Sequence, residues 1–328
     1  DKDVFYGIVQ ADLSDSTLFE VGYEYQSPRT TGVTWGVVPY WGADGAPANL
    51  PRSTNLSASW SAWPIVEKTS FARLEQQLGN GWSVKGNLSH AVRDTDGSVW
   101  YGAAGNPRAD GSGVTAYISH FNEHSTMDVF DVNVGGPFQL FGREHQFMAG
   151  LSYNKRDYAN YGDYQIGGAG QTWNPFASYL NWTGNINEPN WNPLALASEG
   201  TITQKAGYAA ARLSLADPLK LIIGARYTDW KSEGEGADRA HKVTTPYAGL
   251  VFDINDTYST YASYTEIFQP QTLKDRNGSY LDPVDGKSYE VGVKGAWFDN
   301  RLNASVAVFR IEQDNVGQST GEPVIGGD

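Results

Sequence analysis

Cysteine is missing from the 328 residues, which excludes a disulfide framework, a thiolate metal site and a cysteine nucleophile. Methionine is scarce, at 2 residues. No run comes near the roughly 18 consecutive apolar residues of a transmembrane helix, and Asp1-Lys2-Asp3 has neither the basic start nor the apolar middle of a signal peptide. Positive charge is the minority sign: 24 Lys and Arg face 37 Asp and Glu, for a net charge of -13. With no basic run to offset it, a nucleic-acid partner would bind against net repulsion and is set aside. Neither a nucleophile elbow nor a phosphate-cradling glycine loop occurs, and no carboxylate pair stands out as an acid and base, so the chain reads as a non-enzyme.

What is present is 13% aromatic content and 37 Gly, a mixture that suits strands and turns better than helices. The punctuation is regular. Short polar or glycine-rich turns fall at Ser14-Asp15-Ser16, Gly79-Asn80-Gly81, Gly135-Gly136-Pro137 running on to Gly142, Asp217-Pro218, Asn255-Asp256 and Asp299-Asn300. Between successive hairpins lie longer polar segments, at about 26–62, 94–124, 155–202, 232–241 and 268–286. This alternation puts every second turn on one side of an up-and-down meander, as in outer-membrane barrels with short periplasmic turns and long extracellular loops. Loops of this length are uncommon inside a compact domain. The reading gives about twelve strands, from about residue 3 to about residue 313.

Side-chain alternation is the second signal. Leu219, Leu221, Ile223, Ala225 and Tyr227 oppose Lys220, Gly224 and Arg226, with Ile222 as an exception; Phe147, Ala149, Leu151 and Tyr153 oppose Gln146, Gly150, Ser152 and Asn154. Tyr289, Val291, Val293 and Trp297 oppose Ser288, Glu290, Gly292 and Lys294. Alternation alone does not choose between a lipid-facing barrel and a sandwich core. The turn rhythm and the Arg, Lys, Glu, Gly and Ser of the second face favour a wet lumen.

Of the 11 Trp, Trp82 and Trp297 sit beside short turns, where they suit a periplasmic aromatic girdle. The others lie in or beside the long segments, as girdle or as loop packing. The cluster Trp35-Gly36-Val37-Val38-Pro39-Tyr40-Trp41 offers large flat apolar surfaces for a bulky, mostly neutral ligand, although sugar stacking would use the same residues. His120 and His124 have a zinc-like spacing but no helical stripe and no zincin acid, and read as solvated loop histidines. Asp94-Thr95-Asp96-Gly97-Ser98 opens like a calcium loop without the closing acidic ligand, and reads as a turn. No metal site is expected.

The most specific text runs from LADPLKLIIGARYTDW through TTPYAGLVFDINDTYSTYASYTEIFQPQ to SYEVGVKGAWFDNRLNASVAVFRIEQDNVGQSTGEP. It resembles the central barrel of TonB-dependent siderophore receptors, and among them the receptors for ferric coprogen, a hydroxamate siderophore, with pyoverdine and ferrioxamine receptors nearby. TWGVVPYW, LFGREHQFMAGLSY and LNWTGNINEPNW carry a weaker likeness upstream. The resemblance implies an all-β fold: a transmembrane antiparallel barrel of 22 strands, of which residues 1–328 hold about twelve, without the N-terminal plug or the last strands. It implies a receptor in the outer membrane of a Gram-negative bacterium, with a ferric siderophore, TonB (through an N-terminal region outside these residues) and outer-membrane lipid as partners. No protein ligand to iron and no resident cofactor is implied, because the siderophore carries the metal within its own oxygens. The family's aromatic contacts map to Trp35 or Trp41, beside Tyr40, in the first long loop, and to Tyr158, Tyr161, Tyr164 or Trp173 in the third. Another bulky ligand on the same scaffold, a glycan or cobalamin, is the alternative, and a secreted all-β glycan-binding protein is a more distant one.

Overall fold

A computed structural model describes residues 1–34, 38–163, 178–234 and 238–318. Twelve strands follow one another in chain order: β1 (Lys2–Ser14), β2 (Thr17–Pro28), β3 (Ile65–Gly79), β4 (Trp82–Ala104), β5 (Thr115–Leu140), β6 (Arg143–Asp163), β7 (Ala195–Ser214), β8 (Leu219–Glu233), β9 (Arg239–Asp253), β10 (Tyr258–Gln269), β11 (Val284–Trp297) and β12 (Leu302–Asp314). Each pairs antiparallel with the next, in a single sheet ordered β1 to β12. No described helix is long and apolar enough to cross a membrane, so any crossing is made by strands, whose backbone groups are satisfied by their neighbours.

The six short connections all lie at one end of the sheet, with Asp15–Ser16, Asn80–Gly81 and Phe141–Gly142 as the tightest. Asn80 and Gly81 have φ of 50° and 75°, and Phe141 and Gly142 have φ of 50° and 74°, the paired positive values that match hairpin turns to the right-handed twist of the strands. One turn is narrower than expected and confined to the end of its segment. Gly135-Gly136-Pro137 lies inside β5, and the chain reverses only at Phe141–Gly142. The glycine there serves packing: a Cβ on Gly136 would come within 2.5 Å of the Trp82 ring, whose Nε1 donates to the Pro137 carbonyl at 2.9 Å.

At the other end the loops are shorter than expected because the sheet continues into them. β4 and β5 run 23 and 26 residues, far more than the roughly 9–11 that cross a bilayer, and their hairpin stands well clear of the short-turn end. Asp94–Ser98 is therefore ladder, paired with His124–His120, and neither a turn nor a loop. β6 likewise continues to Asp163. These stretches are polar on both faces, so the hydrophobic pattern fades although the backbone pairing does not.

The two faces separate as the alternation requires. Leu151, Ile223, Tyr227, Tyr289, Val291 and Val293 are exposed on one side, and Val132, Leu151, Gly207 and Tyr227 form one continuous row across β5 to β8. The opposite face holds polar chains that satisfy one another. Tyr208 Oη donates to Asp131 at 3.0 Å, Arg226 Nη2 to Ser152 Oγ at 2.7 Å, and Tyr261 Oη to Glu290 at 2.5 Å. Lys294 sits 4.5 Å over the Tyr261 ring, and Arg226 lies 5.7 Å from that of Tyr208. Facing water, the apolar rows would forgo about 1.5–3 kcal/mol per large side chain; facing hydrocarbon, they are at home. The apolar face is therefore the outward one. Phe19, Trp82, Phe147, Phe252, Tyr258 and Trp297 mark its lower border beside the short turns, and Tyr23, Tyr153, Tyr227, Tyr264 and Tyr289 its upper border. From Trp297 to Tyr289 is eight residues of β11, about 26 Å of extended chain, a fair match to a tilted crossing of the apolar band.

Candidate ligand-binding site

The loop-end architecture rests on a core separate from the sheet. Trp100, at the far end of β4, is fully buried together with Leu56, Ala58, Val114, Ala116 and Ile118. Its Nε1 donates to the Leu56 carbonyl at 2.7 Å, and its ring stacks on that of Trp182, with centroids 5.1 Å apart and planes 14° apart. Trp182 Nε1 donates to the Ser57 carbonyl at 2.7 Å, Trp60 meets Trp100 edge-on, and Trp191 closes the cluster against Trp60. A 3-10 turn, Tyr179–Asn181, capped by Ser178, brings Trp182 into place, and Tyr179 N donates to the Gly111 carbonyl at 2.9 Å. Gly111 has φ of 87°, and a Cβ there would fall 1.8 Å from Ser178 Oγ, so any side chain would strain the backbone and displace the Ser178 cap. The described parts of loop 29–64, the β4–β5 tip and segment 178–194 are thus one packed body. Girdle and loop packing are both open to these tryptophans in the sequence; for Trp60, Trp100, Trp182 and Trp191 the structure shows loop packing.

On this body stand Tyr40 and Trp41. They are 69% and 53% exposed, with rings edge-to-face at 4.9 Å. Trp41 bridges to Pro47, Gly42 N donates to Ala46 O at 2.7 Å, Ala48 N to Tyr40 O at 2.8 Å, and Ala43 N to Pro107 O at 3.0 Å. The small hairpin is therefore tied to the β4–β5 tip while its two aromatic faces remain open, which is the form of a stacking platform. Asp110, at the β4–β5 tip, is locked in place: Ser112 Oγ and N donate to its carboxylate at 2.7 and 2.9 Å and hold its pKa below the usual carboxylate value.

The other expected contacts divide. Trp35, Tyr164 and Trp173 lie outside the described residues. Tyr158 and Tyr161 are on β6 and not in a loop. Tyr158 pairs with Ser125 and Gly200 on the inward face, where its hydroxyl would meet a Cβ on Gly200 at 2.9 Å, and Arg156 covers its ring at 5.3 Å while donating to Glu123 at 3.0 Å. Tyr161 pairs with Asn122, in a row of the opposite face. The two tyrosines do not share one surface.

Among the described residues no group of His, Asp and Glu is arranged to hold a metal. His120 and His124 lie on β5, not in a loop: His124 is opposite Asp94, with Nδ1 2.6 Å from Oδ1, and His120, opposite Ser98, reaches diagonally to Asp96, with Nε2 3.3 Å from Oδ1. Pairing across the ladder, and not a shared metal, explains their spacing.

An outward apolar face between two aromatic borders, a polar inner face, tight turns at one end and an interlocked loop body at the other define a segment of an outer-membrane β-barrel receptor. The chain belongs to the TonB dependent receptor-like, beta-barrel family, which it matches over residues 6–328. It is similar to the ferric-pyoverdine BN7/BN8 receptor of Pseudomonas putida, with 36% identity over 96% of this chain and 40% of that protein. The ferripyoverdine receptor of Pseudomonas aeruginosa is 34% identical over 95% of this chain and 38% of its own length. The ferrioxamine B receptor of Salmonella typhimurium is 24% identical over 93% of this chain and 43% of that protein. The crystal structure of the ferripyoverdine receptor of the outer membrane of Pseudomonas aeruginosa, bound to ferripyoverdine, superposes with a TM-score of 0.89 at 32% identity, covering 98% of this chain and 43% of that one. The chain spans about two-fifths of the length of these relatives. Its place is the outer membrane of a Gram-negative bacterium. The coprogen likeness expected from the text is not the one these relatives carry, since their names point to pyoverdine and ferrioxamine B.

Proposed function

We propose that this chain is the loop-bearing part of a receptor that captures a ferric siderophore and, with energy delivered through TonB, passes it across the outer membrane. The observation that carries the reading is the Tyr40–Trp41 platform, held open by backbone hydrogen bonds on a rigid loop body. A chelate whose iron is enclosed by its own oxygens presents flat, mostly neutral surfaces, which aromatic faces recognise without a protein ligand to the metal. The names of the relatives favour a pyoverdine-like chelate over coprogen. Trp35, Tyr164 and Trp173 remain candidate contacts with Tyr40, Trp41, Tyr158 and Tyr161; of these Tyr158, on the inward face beside Arg156, suits a ligand that has entered the mouth. In this role no bond is made or broken. A soluble glycan-binding protein is disfavoured because it would hold the apolar rows against water.

The test is titration of ferric pyoverdine and of ferric coprogen into the full-length receptor, followed by tryptophan fluorescence. Trp41→Ala and Tyr40→Ala are each expected to raise Kd about ten-fold, near 1.4 kcal/mol, for the chelate that wild type binds more tightly. Unchanged affinity in both variants would place the contacts elsewhere.

A further inference from the structure

At the loop end of the inward face Arg239 has no carboxylate partner among the described residues. Arg226, Thr228, Trp230 and Ser232 form a single row of β8, and Ser232 pairs with Arg239 at the start of β9. Arg239 is 8% exposed, Trp230 8% and Ser232 2%. The guanidinium lies 5.6 Å from the centroid of the Trp230 ring and 4.7 Å from that of Tyr280. Nη1 donates to the Gln271 carbonyl at 3.0 Å and Nη2 to Ser232 Oγ at 3.3 Å, while Nε is buried without an acceptor. No carboxylate pairs with it among the described residues. Two of its contacts, Gln271 and Tyr280, come from loop 270–283, which is pinned as a hairpin by the Lys274–Tyr280 bridge.

A wholly structural arginine at this depth would be expected to have a carboxylate, because neutral acceptors and ring faces only partly offset the desolvation of a full charge. The sequence does not lack acids, with 37 Asp and Glu, and Arg156, on the same inward face, has Glu123. We propose that Arg239 is the cationic contact for an anionic oxygen of the bound ferric chelate, reached when loop 270–283 withdraws from it. The inference rests on the siderophore reading and adds a specific charge requirement to it. The loop covers the guanidinium and keeps bulk anions away; the chelate replaces the Gln271 carbonyl with a charge-assisted bond, which is the stronger of the two. Trp230, stacked on His241 with centroids 5.6 Å apart, then remains as the flat wall beside the bound anion.

The experiment measures binding of ferric pyoverdine to the full-length receptor across a sodium chloride series, by tryptophan fluorescence, with folding verified by heat-modifiable migration on gels. Arg239→Gln is expected to lower affinity about ten-fold or more and to flatten the salt dependence, and Arg239→Lys to recover part of both. Tyr280→Ala, which loosens the loop and leaves the charge in place, is expected to speed association and keep the wild-type salt dependence. Wild-type affinity in Arg239→Gln, a weaker affinity with undiminished salt dependence, or association by Tyr280→Ala no faster than wild type would each overturn the proposal, the second leaving Arg239 as a loop pin only. Absence of saturable binding to the wild type would instead remove the siderophore reading on which it stands.

Discussion

Trp100 shows how much a single side chain organises. It is buried completely, stacks on Trp182, meets Trp60 edge-on and donates a hydrogen bond to the Leu56 carbonyl. Trp100→Ala is expected to cost about 3–5 kcal/mol locally, the range for a buried aromatic replaced by alanine, while leaving the sheet intact. Hydrogen exchange should show the difference: backbone amides of 56–62 and 179–186 lose protection, and those of β8 to β11 keep theirs. Uniform loss would mean that the loop body and the sheet fold as one unit. None of this was legible in the sequence, which marks Trp100 only as one of several loop tryptophans. What separates platform from core is whether the ring is covered, and the cover comes from other segments of the chain, around Leu56, Val114 and Trp182. Arg239 was hidden for the same reason, since an unpaired charge is a property of neighbours and not of the residue.

At the scale of elements, the legible part was what the backbone period writes into the text. Strand number, meander order and outward rows such as Leu219–Tyr227 follow from alternation and turn chemistry. Strand ends are not legible wherever both faces turn polar, as at Asp94–Ser98 and Arg156–Asp163, and the turn expected over Gly135–Gly142 takes in the glycine cradle under Trp82 as well as the true reversal at Phe141–Gly142. Between elements, the short-turn end carries a cross-link: Arg143 Nη1, at the start of β6, donates to Asp217 in the β7–β8 turn at 2.5 Å. The guanidinium holds the Asp217 carboxyl below its ordinary value of 3.8. A lowered folded-state value means that the pair stabilises at pH above the ordinary carboxylate range and that this is lost as pH falls through the lowered value. Both groups are exposed, so the effect is small. Asp217→Asn is expected to lower the urea midpoint slightly at neutral pH and to match wild type in strong acid; a difference that persists in acid would show that the ion pair is not its source.

The whole molecule is an open sheet, with β1 and β12 as edges that do not pair with each other among the described residues. Hydrocarbon does not tolerate unpaired edges, so in a membrane this sheet is completed by further strands, and measurements of transport belong to the full-length receptor. The account depends on which face meets lipid. Single tryptophans placed in the full-length receptor at Leu151 and Val291 on the apolar face, and at Ser152 and Glu290 on the polar one, can be compared in bilayers of brominated lipid. Bromine is predicted to quench the first two, above the level of the native tryptophans, and to leave the second two unchanged. Equal quenching on both faces, or stronger quenching at Ser152 and Glu290, would contradict the barrel described above.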